Sequence, residues 1–152
     1  MGDGIGDGGV VDGGVGGKVE QLRDLRAQRA QLDAEELTLL ADISAAMGDD
    51  RGVAEELRPV LRVSAREVER RIDDGKSLAR RTPRLLAAMR AGEIDAHGAR
   101  QVLTVVDPLD DEAARNVDAL VAEGLDAAET EWQPGNLAQR ARRLLEKVDP
   151  DG

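Results

Sequence analysis

From Lys18 to Met47 the chain contains neither glycine nor proline, the longest such stretch it has, and no other feature restricts its fold so strongly. Within it Leu22, Leu25, Leu32, Leu39 and Ile43 fall on an approximate heptad stripe, interrupted by Arg29 and Glu36. One long helix or a helical hairpin is expected. An unbroken helix would run about 45 Å, longer than the roughly 30 Å diameter of a small domain, so it must project, bend or find a partner. The stripe reads in two ways. It either packs on its own domain or pairs with another chain, as a self-association seam or a seat for a partner helix.

The 152 residues include no Phe, no Tyr and one Trp, Trp132, so a core must be built from Leu, Val, Ile and Ala. Such a core favours helices with small interfaces. The breaks fall at helix-length intervals. Gly48 to Gly52 reads as a loop, followed by a short helix near 53–61, a turn, and a second helix opening at Ser64, an N-cap with Glu67 in capping-box position. Val68, Ile72 and Leu78 supply its apolar stripe. Thr82 and Pro83 restart the chain as N-cap and first helical residue, and Gly92 closes that helix. Asp95 caps the next, with Ala99, Val102, Leu103 and Val106 on one face, and Asp107-Pro108 ends it. Ala113, Val117, Leu120 and Val121 mark a helix to near Gly124; Gln133-Pro134-Gly135 is a turn; Leu137, Ala141, Leu144 and Val148 mark a last helix. The fold expected is all-α, one multi-helix domain over 18–152. Residues 1–17 hold nine glycines and three Asp with no basic residue, and are expected to form an unfolded tail, having little to bury against their backbone entropy.

Charge is divided unevenly along the chain. The total is −10, yet residues 1–17 carry −3, residues 18–58 carry −4, residues 59–106 carry +4 and residues 107–152 carry −7. The single basic segment begins at the turn before Ser64, where a helix-turn-helix would place its recognition helix. Arg62, Arg66, Arg70 and Arg71 are the candidate contacts to double-stranded DNA. Arg62 stands where such a turn usually has glycine, and Pro59 falls inside the would-be first helix. The competing reading is a solvated basic face, with intrahelical pairs to Glu67 and Glu69.

Catalytic chemistry has little to work with. The absence of cysteine removes disulfides, thiolate metal sites and a thiol nucleophile, and His97 is the sole histidine. Metal-assisted phosphodiester hydrolysis needs several ligands and a base. Glu93, Asp95 and His97 are close in sequence, but spaced by two across a helix start they do not share a face, so Asp95 is expected to cap and His97 to be exposed. Neither a nucleophile elbow, a phosphate loop nor a paired-His motif occurs. No catalytic residue, metal or cofactor is expected, and with no membrane-length apolar run or leader pattern the expected location is cytoplasmic.

The run TPRLLAAMRAGEIDAHGARQVL, residues 82–103, resembles the signature of the 13E12-repeat family, numbered 222 among domains of unknown function. In that family a leucine-rich helix ends in Ala-Gly-Glu-Ile and a following helix opens on an Ala-Arg segment. The closing NLAQRARRLLEKVDPDG, residues 136–152, resembles the family's next landmark, a basic helix ending in Asp-Pro-Asp-Gly, and the preceding Val63-Ser64-Ala65-Arg66 agrees in order. The resemblance implies a helical region commonly found N-terminal to an HNH endonuclease module. No nuclease residue has a matching position in this chain. The implied function is a non-catalytic, nucleic-acid-associated helical module; the alternatives are a structural or protein-interaction domain and an inactive remnant truncated before the nuclease.

Overall fold

The computed structural model describes residues 13–127, together with 141–143 and 146. Six helices run in order among them: α1 Gly13–Met47, α2 Asp50–Leu61, α3 Ala65–Arg80, α4 Pro83–Arg90, α5 Ala96–Val106 and α6 Asp111–Ala127. No strand occurs among the described residues, so the all-α expectation holds. The Gln133-Pro134-Gly135 turn and most of the expected last helix lie outside the described residues; of its marked positions only Ala141 is described, and it is buried in the core.

The break-free run is one unbroken helix, and no hairpin forms. It begins at Gly13, inside the segment expected to be tail, so Gly13 to Gly17 extend the helix begun by Lys18 while residues 1–12 lie outside the described residues. Extension adds a hydrogen bond per residue without a new nucleus, which lets poor helix formers follow good ones. The α1 face that meets the domain is not the leucine stripe. Ala30, Ala34, Leu37 and Leu40 are buried there, the alanines letting neighbouring helices come close, whereas Leu22, Leu25, Leu32 and Leu39 are 47–65% exposed.

The loop expected at Gly48 to Gly52 is shorter than its composition suggests. Asp50 opens α2, its carboxylate accepting from Lys76 Nζ at 2.8 Å and from the buried Ser44 hydroxyl, which ties the helix start to α1 and α3. Pro59 sits in the last turn of α2, where its missing N–H removes one bond close to the helix end.

Two apolar clusters result. Leu40, Val53, Ala54, Val68 and Ile72 fill the space between α1, α2 and α3. The larger cluster joins α1, through Ala34 and Leu37, to α3 through α6 around Leu78, Leu85, Met89, Val102, Val106 and Val117. Thr82 was expected to cap α4, but its hydroxyl does not reach the helix amides. Asp118 of α6 does so instead, accepting from the backbone N–H of Arg84 at 2.9 Å and of Leu85 at 2.8 Å. Asp95 caps α5 as its position suggests, taking the Gly98 amide at 2.8 Å.

Candidate nucleic-acid interface

Ser64 starts α3 by accepting the Glu67 amide at 3.1 Å, half of the expected capping box. The other half is missing because the Glu67 carboxylate turns away from Ser64 to Arg71 and Arg100. Between α2 and α3 the chain reverses through Arg62, Val63 and Ser64. Arg62 there adopts the left-handed conformation, φ 58° and ψ 39°, the one non-glycine residue with positive φ among the described residues. The sequence thus places an arginine where the turn calls for glycine, at a backbone strain of roughly 1 kcal/mol.

The candidate contacts divide into two groups. Arg71 faces inward, its Nε donating to Glu67 at 2.8 Å and its Nη1 to Glu36 of α1 at 3.0 Å. It is part of the scaffold, unlike the other three candidates. Arg62, Arg66 and Arg70 are exposed and form no ion pair among the described residues. At helical spacing Arg66, Arg70, Asp73, Ser77 and Arg80 share one face of α3, with Glu69 at its border, so three free guanidiniums stand among two carboxylates.

Beside this face lies a polar cleft of about 290 Å³ between α1, α3 and α5. Its charges are mutually engaged: Arg100 donates to Asp74 at 3.1 Å and to Glu67 at 3.3 Å, and Glu67 links Arg100 to Arg71. Burial works against ionisation of Glu67, but the two guanidiniums outweigh it and hold its pKa below the ordinary value. Burial pushes Asp74 up despite Arg100, and pushes Asp33 up with help from the Glu36 charge. Burial also opposes the charge on Asp95, yet the Gly98 amide and Arg26, 2.9 Å away, keep its pKa low. His97 stands exposed at the cleft edge beside Gln101. No group of His, Asp and Glu able to hold a metal ion occurs among the described residues.

Other basic residues are structural as well. Arg81 donates to the carbonyls of Val106 and Leu109 at the end of α5, and Lys76 binds Asp50. Sequence spacing alone did not reveal the Glu36-Arg71-Glu67-Arg100-Asp74 chain, because its members come from three helices. Asp118 carried a readable signal: it lies in helical register with Ala114 and Val121 on the buried face of α6, where an uncompensated charge is out of place.

No helix among the described residues is long and apolar enough to cross a membrane. No curated protein and no solved structure matches the chain. The family described as domain of unknown function (DUF222) matches residues 19–152, from the first turns of α1 through the last residue, and the chain belongs to that family.

Proposed function

We propose that this chain is a non-catalytic helical module that binds double-stranded DNA through the turn and outer face of its second and third helices. The observation that carries this reading is the division of the arginines. Five basic side chains of the 59–106 segment are consumed by internal partners, Arg71, Lys76, Arg81, Arg90 and Arg100; of the five left to solvent, Arg62, Arg66, Arg70 and Arg80 lie around one turn and one helix face, and Arg84 lies on α4. Free guanidiniums in a cluster suit phosphate contact, and an arginine held in a left-handed turn is aimed by backbone at the expense of stability. The acidic remainder of the chain opposes approach to DNA, which makes the binding weak and steeply salt-dependent.

The test is a fluorescence anisotropy titration of labelled duplex at low and near-physiological salt. The wild-type chain binds at low salt, and changing Arg66→Ala with Arg70→Ala lowers the slope of log affinity against log salt by about two units. Absence of binding at low salt, or an unchanged slope, refutes the proposal. Supercoiled plasmid stays intact with Mg²⁺, Mn²⁺ or Zn²⁺; nicking that vanishes in His97→Ala contradicts the non-catalytic part.

A further inference from the structure

Among the described residues the domain packs on one face of α1 and leaves another bare. Eight large apolar side chains of α1, from Val15 to Met47, are 38–71% exposed. Six of them, all but Val19 and Met47, follow the heptad stripe, in which Val15, Leu22, Arg29, Glu36 and Ile43 take one set of core positions and Leu25, Leu32 and Leu39 the other. Every residue from Gly14 to Leu25 is exposed, so about 18 Å of helix stands clear of the domain carrying part of this stripe, while the rest runs along the domain itself. An isolated helical arm of that length, rich in glycine at its start, has little stability of its own in water.

From these features we infer that α1 pairs with α1 of a second copy of this chain, antiparallel. The two polar core positions decide both partner and direction. In a parallel pair Arg29 meets Arg29 and Glu36 meets Glu36, two like-charge layers. In an antiparallel pair with Leu22 opposite Leu39 of the second copy and Leu25 opposite its Glu36, each Arg29 lies one layer from the other copy's Glu36. Arg29 forms no ion pair among the described residues, so it is free to make this one, and Glu36 then bridges Arg71 of its own chain and Arg29 of the other. The same register lays the projecting Val15 to Leu25 arm of each copy along the exposed Glu36 to Ala46 surface of the other. Both halves of the stripe are covered at once. A paired helix about 50 Å long reaches the 1,200–2,000 Å² range typical of stable interfaces. This inference is independent of DNA binding, since it uses none of the solvent-facing arginines Arg62, Arg66, Arg70 and Arg80.

The chain has no cysteine, which makes the pairing directly readable. Sedimentation of the full chain gives about twice the 16.2 kDa monomer mass, and Leu32→Glu with Leu39→Glu, both at exposed positions, gives the monomer with unchanged helical circular dichroism. An equal mixture of Leu22→Cys and Leu39→Cys chains, oxidised after subunit exchange, yields the mixed disulfide-linked pair. A wild-type monomer at all concentrations, a dimer that survives the double Glu change, or a mixture that gives only Leu22→Cys and Leu39→Cys homodimers each overturns the inference.

Discussion

Asp118 and Arg62 each occupy a position where residue type and surroundings disagree, and each disagreement has a structural use. Asp118 is 2% exposed among Ala114, Val117 and Val121, and burial pushes its carboxyl pKa up even though the amides of Arg84 and Leu85 and the Arg84 charge favour ionisation. Its task is to cap α4 from a distance in sequence that no local motif spans. Asp118→Ala removes the acceptor for both amides, and urea unfolding should show a loss of about 2–3 kcal/mol. A loss under about 0.5 kcal/mol would mean that water covers those amides. Arg62 makes the opposite case. Arg62→Gly relieves the left-handed backbone and should raise stability by about 0.5–1 kcal/mol while weakening duplex binding. A variant that is both more stable and equally strong in binding removes Arg62 from the contact set.

At the scale of elements, the α1–α3 crossing governs how closely the domain closes. Gly75 is buried at the crossing, and a Cβ there would collide with the carbonyl of Leu37. Gly75→Ala is therefore expected to destabilise by more than about 3 kcal/mol, although alanine is the better helix former. Circular dichroism melting compared with an exposed-site control checks this; an increase in stability would mean that the helices can separate without loss. This crossing also marks the boundary of what the sequence reveals. Helix ends were legible where one residue carries the signal: Asp95 caps α5, Gly92 at φ +78° closes α4 with Ala27 too near for any side chain, and Pro83 opens α4. Faces were less legible. Alanines bury by closeness and leucines by size, so the heptad of large residues drew the eye to the exposed side of α1 while Ala30 and Ala34 carried the packing. In the same way Arg66, Arg70 and Arg71 looked equivalent on one helix, because the partner that separates them, Glu36, lies 35 residues away.

Across the whole molecule a net charge of −10 coexists with an arginine cluster, and the balance between paired and unpaired carboxylates sets the response to pH. Asp33, Asp74 and Asp118 have pKa values raised above the ordinary 3.8, so they take up protons more readily folded than unfolded. Their contribution to stability is full below the ordinary carboxylate range and is withdrawn as pH rises through the raised values. Glu67, Asp50 and Asp95 are lowered, so theirs is present above that range and lost as pH falls through the lowered values. On acidification through the carboxylate range the melting temperature should first rise, as the raised groups protonate, and then fall, as the lowered ones do. A melting temperature climbing steadily from pH 4 to 8 contradicts this assignment. The fold sorts neighbouring arginines into paired and solvent-facing groups, and the adjacent Arg70 and Arg71 fall on opposite sides of that division. Each is changed singly to Ala, and melting temperature and salt dependence of duplex binding are measured on both variants. Arg70→Ala is expected to keep the melting temperature and flatten the salt slope by about one unit, while Arg71→Ala lowers the melting temperature and keeps the slope. Equal effects from the two substitutions, or the reverse assignment, would contradict this expectation.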